Sequence, residues 1–324
     1  MTDSDLSAAH REPPETSPKG SAPWTSGIRD WRLHLAYPAL ARLPCTLAWQ
    51  GATRLGRWRP TEREQARAAV RNGYLSAFPH LARDLAQLER WTQGYIDLFA
   101  RESMDVFCMS RINAHNAAEH IHITGTHLLE EARRDGQGVI LVLNHYSRLI
   151  MLLIGLGLMG HRMSMLTMRI DTENPDLTPP MRTFLRAKVE RLLGFIGGQW
   201  LSIGDNLRPM LEGLRAGETW IVLADVYMPQ INDWRDFPFL GGSLRLSRGI
   251  ERIAARTGAR LIHGVTHEKR PSHLECELRP LPADPAEAMA TVVRELEQDI
   301  LATPWEWWQW NIFDYIWTPA PTSD

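Results

Sequence analysis

Residues 138–160, GVILVLNHYSRLIMLLIGLGLMG, set five polar-capable side chains, Asn144 to Arg148, between two apolar runs. His145 suits general-base work, provided a second group fixes its tautomer and stabilises the imidazolium that forms. Asn144 beside it carries an amide that can donate to a developing oxyanion, as can nearby backbone N–H groups. Arg148 and Arg169 carry planar, permanently charged guanidinium groups. For Arg169 the plainer reading is a surface pair with Asp171. Asp225 closes the apolar run TWIVLAD; burial there is costly without a partner, which favours a site role, although a core Arg would explain it equally. The plainer reading of the polar row is a cap on a helix beginning near Ser147, since Ser is a good N-cap.

Three further clusters have chemical potential. Arg245, Arg248, Arg252 and Arg256 follow at spacings of three, four and four, a basic stripe on an expected helix over 244–257 whose other face carries Leu246, Ile250 and Ile253. Such a stripe suits an acidic protein, phosphates or anionic headgroups, or is a solvated helix face. His115, His120, His122 and His127 crowd one segment, but their spacing lacks the i, i+4 pair and acid of a metal motif, so no metal is assigned. Five tryptophans between Trp305 and Trp317 suit an acyl-chain pocket or a bilayer interface.

The elements that must position these residues follow from apolar periodicity. Strands are expected over 138–143, 162–168, 219–225 and 259–267, and helices over 149–159, 180–194, 205–216 and 244–257. Their alternation predicts an α/β fold with a mostly parallel central sheet covered by helices on both faces. Ligands in such sheets bind beyond the carboxyl ends of the strands, where His145 and Asp225 stand. Upstream, 61–107 reads as helices, opened by Thr61 as N-cap with Glu64 at the capping-box position. The organisation expected is a disordered tail over 1–27, a helical N-terminal portion over 28–110 and an α/β core over 111–318. Residues 31–58 mix Leu, Ala and Trp with Arg, as a membrane-interfacial segment or a helix pair packed on the core would.

Composition narrows the function. With 36 basic and 38 acidic residues and a net charge of −2, nothing global favours nucleic acid. Cys45, Cys108 and Cys276 are far apart and fit neither a disulfide framework nor a metal spacing, which favours a reducing compartment. The long apolar run 139–159 is broken by Asn144, His145 and Arg148, against a membrane span.

Five segments in order, GTHLLEEARRDGQGVILVLNHY, LTMRI, DNLRPMLEGLRAGETWIVLADVY, FPFLGGSLRLSRGIERIAARTGARLI and TPWEWWQWNIFDY, resemble the late acyltransferases of lipid A synthesis, in the lysophospholipid acyltransferase superfamily. The likeness spans roughly residues 30 to 315. It implies a glycerolipid acyltransferase-like fold and a His paired with an acidic residue five positions later, the imidazole taking the acceptor's proton as it attacks a fatty acyl thioester. His145 matches the His, but the acidic position is Ile150. Losing an orienting carboxylate costs about 10⁴-fold in serine proteases, so this departure bears directly on activity. Elsewhere only His10/Glu15 and His263/Glu268 keep the spacing, no more than chance gives for 12 His and 38 acids, and neither falls at the catalytic position.

Three accounts of His145 stay open: Asp225 supplies the carboxylate from a neighbouring strand, the acceptor needs only a weaker base, or the chain binds acyl groups without transferring them. The favoured reading is transfer of a fatty acyl group from an acyl carrier protein or coenzyme A thioester to a hydroxyl or amine of a lipid or amphiphilic acceptor. His145 and Asp225 would be catalytic, and Asn144, Arg148, Arg169, Arg245 and Arg248 substrate-binding. The resemblance implies no cofactor, and a cytoplasmic location peripheral to the inner membrane surface. The alternative is a non-catalytic acyl- or lipid-binding protein of the same fold.

Overall fold

The computed structural model describes residues 31–58, 64–171, 177, 179–227 and 232–320. The expected tail and the Thr61 cap lie outside these. Strands β1 (Ile121–Thr124), β2 (Val139–Leu143), β3 (Met163–Thr167), β4 (Gly197–Ser202), β5 (Thr219–Leu223), β8 (Arg260–Arg270) and β9 (His273–Pro280) form one sheet in the order β1-β9-β8-β2-β5-β3-β4. Every adjacent pair is parallel except β8 with β9. The sheet is therefore mostly parallel, as the alternating pattern predicts.

All five residues of β2, VILVL, are buried, as an interior parallel strand requires. Its side chains alternate between two cores: Val139, Leu141 and Leu143 face the one built with the helices Ile150–Leu158 and Pro179–Ile196. Ile140 and Val142 face the other, built with Arg208–Arg215, Gly249–Thr257 and Pro285–Ala302. Burial on both faces explains the unbroken apolar run and leaves polar residues only beyond the strand's end. Register then sets the site: Leu143 lies opposite Leu223, and the Ala224 N–H donates to the Leu143 carbonyl at 2.8 Å, so His145 and Asp225 leave neighbouring strands at one level.

The N-terminal portion is helical, with Cys45–Arg57 and Leu85–Cys108 packed against each other. Among the described residues no helix is long and apolar enough to cross a membrane.

The expected helix over 244–257 is corrected. Strands β6 (Trp234–Phe239) and β7 (Gly242–Ser247) form an antiparallel hairpin, joined by β10 (Trp317–Pro319) in a second sheet, and the helix begins at Gly249. Leu244 and Leu246 are buried while Arg245 between them is exposed, the period of a strand. The Arg stripe is thus split across two elements. Three of its four charges are also met: Arg245 forks onto Asp236 at 2.8 and 3.0 Å, and Arg248 and Arg252 flank Asp233 at 3.7 and 3.0 Å. Arg245 and Arg248, expected to bind substrate, lie with this second sheet and its following helix rather than at the parallel strand ends.

Candidate active site

Between β2 and its following helix the chain makes a tight crossing. Ser147 adopts a left-handed conformation (φ 51°), a cost a non-glycine residue bears only where its surroundings hold it. The holding comes from a C-terminal segment, 304–310, that runs beside the crossing. The Ser147 N–H donates to the Glu306 carbonyl at 2.7 Å, the Trp308 N–H to the His145 carbonyl at 2.8 Å, and Trp308 Nε1 to the Ser147 carbonyl at 2.8 Å. Tyr146 and Trp307 form an antiparallel bridge. Ser147 is therefore no N-cap, and the helix begins only at Ile150.

This crossing presents His145 to Asp225. The imidazole Nδ1 lies 2.9 Å from Asp225 Oδ1, and the His145 backbone N–H reaches both carboxylate oxygens at 2.9 and 3.0 Å. Trp307 Nε1 donates to Asp225 Oδ2 at 2.9 Å. The carboxylate is fully buried but saturated by donors, whereas the His145 side chain stays partly exposed. An Asp accepting from Nδ1–H leaves Nε2 as the bare, basic nitrogen. Gln309 Nε2 donates to the Asp225 carbonyl at 2.7 Å and packs 3.0 Å from His145 Nδ1. We assign the Nδ1 proton to the carboxylate, because a bare Nδ1 there would set two acceptors face to face.

A second imidazole lies behind the first. Asn144 Nδ2 is 3.0 Å from His263 Nε2, and His263 Nδ1 is 2.6 Å from Glu295 Oε2. Glu295 accepts from the His263 Nδ1–H, so Nε2 accepts from the Asn144 amide. His263 thus pairs with Glu295, not with Glu268. The oxyanion role expected at this turn is narrowed by these bonds: the N–H groups of His145, Tyr146 and Ser147 are committed to Asp225, the Asn144 carbonyl and the Glu306 carbonyl. Of the expected donors, the second Asn144 amide hydrogen remains.

Arg148 departs from expectation. It is fully buried under the crossing, with Nε 2.8 Å from Asp105 Oδ2, Nη2 on Asp105 Oδ1 and Nη1 3.3 Å from Glu268 Oε2. Trp49 lies flat beneath its guanidinium at 4.4 Å and donates to Asp105 at 2.8 Å. Arg101 pairs with the other side of Glu268 at 2.6 Å. Such a guanidinium braces the crossing from inside; its donors point at protein, not at a ligand. Burial pushes the Asp105 carboxyl up, opposed by the Arg148 charge. Glu306, buried and close to Glu268, is held up to about 8, first by burial and then by that neighbouring charge.

Arg169 stands past the end of β3, adjacent to β5, and is partly exposed between Asp171 at 3.1 Å and Asp205 at 3.4 Å. Its side of the sheet is that of His145 and Asp225: the ends of β2, β5 and β3, in that spatial order, carry the three. Of the five tryptophans, Trp307 and Trp308 clamp the crossing. Trp307, Trp308 and Trp310 are buried, each with its indole N–H on a protein acceptor. Of the crowded histidines, His120 Nδ1 meets the Ser272 carbonyl at 3.1 Å and His122 packs on His273. Among the described residues no group of three or more His, Cys, Asp or Glu is placed to hold a metal ion.

Sequence reasoning singled out His145 and Asp225, which the structure brings into contact; it gave no reading of Gln309, Glu295 or Glu306 and did not place Trp307 or His263 at this crossing. None carries a local signal, since each reaches the crossing from at least 80 positions away.

A family model described as bacterial lipid A biosynthesis acyltransferase matches residues 20–311. No curated protein matches the chain.

Proposed function

The chain belongs to the bacterial lipid A biosynthesis acyltransferase family and is an acyltransferase acting on lipid; from that premise we propose how it does so without the family's acid at position 150. His145 Nε2 takes the proton of an acceptor hydroxyl as its oxygen attacks the thioester carbonyl. The new C–O bond forms, the C–S bond breaks, and the imidazolium returns the proton to the departing thiolate. Asp225 holds the tautomer and stabilises the imidazolium, the two tasks of the missing acid.

The observation that carries this reading is the 2.9 Å contact between His145 Nδ1 and the buried Asp225 carboxylate, contributed by the adjacent parallel strand. With the base fully oriented, a hydroxyl acceptor is favoured over one needing a weaker base. The donor is a fatty acyl thioester carried on acyl carrier protein or coenzyme A. Arg169, at the third strand end, meets an anionic group of donor or acceptor. The protein works at the cytoplasmic face of the inner membrane, and exposed Leu35, Leu43, Leu47 and Trp58 support that placement.

Thiol release from acyl–carrier-protein and acyl–coenzyme A thioesters, measured with a hydroxyl-bearing amphiphilic lipid, tests the reading and separates the donors. Asp225→Asn should lower kcat by about 10²–10⁴-fold with KM little changed, and His145→Ala at least as far. Undiminished turnover in either variant would remove the pair from the chemistry, and lipid binding without thiol release from any donor would favour a binding protein.

A further inference from the structure

The helices Cys45–Arg57 and Leu85–Cys108 run antiparallel, and their polar contacts form a ladder. Arg57 meets Asp97 at 2.6 Å, Thr53 meets Arg101 at 3.2 Å, and Trp49 meets Asp105 at 2.8 Å. Each rung steps back four residues on one helix and forward four on the other, one turn of each. One further turn, four residues back on one helix and three forward on the other, brings Cys45, the first residue of its helix, to the level of Cys108, the last residue of the other. Residues far apart in sequence thus meet at one corner of the helix pair, with Cys45 packed on the core cluster that holds Cys108. Arg111, just past Cys108, ties the same corner by donating to the Ala41 carbonyl at 2.8 Å.

The two sulfurs are not equivalent. Cys45 is partly exposed and sits at a helix N-terminus beside a guanidinium, whereas Cys108 is buried behind it. The neighbouring Cys108 thiol and then, against burial, the Arg111 charge pull the Cys45 thiol down to about 7, while the neighbouring Cys45 and burial push Cys108 up. This is the division between an attacking thiolate and a resolving thiol.

We propose that Cys45 and Cys108 are a modification site that a low-molecular-weight disulfide converts to an intramolecular disulfide, stapling the first long helix to the helix that carries Asp105. The Cys45 thiolate attacks one sulfur of the oxidant and expels the other as thiolate. Cys108 gives up its proton and attacks the Cys45 sulfur of the mixed disulfide, expelling the second thiolate. Two protein thiols are oxidised, one disulfide is reduced to two small thiols, and the two protein protons end on those thiols. Because Asp105 lies one turn before Cys108 and holds Arg148 under the catalytic crossing, the staple fastens the brace of the site.

The test treats the full chain with oxidised glutathione, alkylates remaining thiols and maps peptides by mass. Expected is a Cys45–Cys108 linked peptide with the loss of two hydrogens, Cys276 remaining a free thiol as its burial predicts, and a raised thermal midpoint that returns on reduction. Cys45→Ser and Cys108→Ala should each abolish the link, and Cys276→Ser should leave it. A glutathione adduct on Cys45 that Cys108 never resolves would overturn the proposal, as would both positions remaining alkylatable.

Discussion

The carboxylate that the structure sets beside the His145 imidazole is Asp225, whereas the resemblance leads one to expect an acid five positions after the His. Ile150 sits where the acid is expected, at the first turn of an apolar helix and 2% exposed. Asp225 already meets Nδ1, so Ile150→Glu brings a redundant carboxylate into an apolar cluster, where desolvation keeps it protonated. The variant should gain no thioester turnover and lose about 1–3 kcal/mol of stability in urea unfolding; a rate gain would mean that Asp225 leaves the base under-supported. Glu306 gives a second prediction. Its carboxyl, ordinarily near 4.5, is held up to about 8 by burial and by Glu268. Between those values the unfolded chain releases the proton and the folded chain keeps it, so this stability is full below about 4.5 and is lost as pH rises through about 8. Glu306→Gln removes the titration, and its unfolding free energy relative to the parent should climb across that window and run level outside it. Parallel curves would show that Glu306 ionises freely in the fold. His145 and Asp225 were legible in the sequence because each ends an apolar strand, whereas the protonated acid was not, since Glu306 owes its burial to residues distant in the chain.

The element that decides the site is the crossing from β2 to its helix, held open against a left-handed Ser147 by the tryptophan segment and by Arg148 beneath. Strand ends are readable from apolar runs; a clamp is not, because Trp307 and Asp225 stand 82 positions apart. Periodicity also misread residues 244–247, the start of the expected helix over 244–257, where four arginines fit a helical stripe while the leucines alternate with the period of a strand. Pairing with β6 decided for the strand. Arg148 shows what the crossing rests on. Truncating one partner of a buried ion pair leaves the other uncompensated, so Arg148→Met, which strands Asp105 while Glu268 keeps Arg101, should cost about 3–5 kcal/mol in urea unfolding. Adding Asp105→Asn should recover part of that loss. A single-variant cost below about 1 kcal/mol would mean that water reaches the pair and that the brace is dispensable.

For the molecule as a whole, the sheet brings His145, Asp225 and Arg169 to the carboxyl ends of adjacent strands while the N-terminal helices leave apolar side chains in water. Leu35, Leu43, Leu47 and Trp58 are 69, 42, 49 and 53% exposed, and Arg42, Arg54 and Arg57 are interleaved with them on the surface. Single exposed hydrophobics are ordinary, but large apolar residues recurring among arginines over so short a span match a segment lying in the plane of an anionic membrane surface. The arrangement also suits the chemistry, because an acyl acceptor anchored in a bilayer must be met at the interface and not in solution. Both contributions are separable. Burying a leucine side chain in the interface contributes about 1.5–3 kcal/mol, so Leu43→Glu with Leu47→Glu, which also adds two like charges toward anionic headgroups, should lower the fraction bound to phosphatidylglycerol-containing vesicles at least tenfold in cosedimentation. Raising salt from about 0.1 to 1 M shortens the screening length from ~10 to ~3 Å and should weaken the parent's binding while leaving the leucine share intact. Neither site helix nor crossing is touched, so thiol release with a water-soluble acceptor should persist in the double variant while transfer to vesicle-embedded acceptor falls with binding. Equal vesicle binding by parent and variant would place the membrane contact elsewhere on the surface and leave these helices as packing alone.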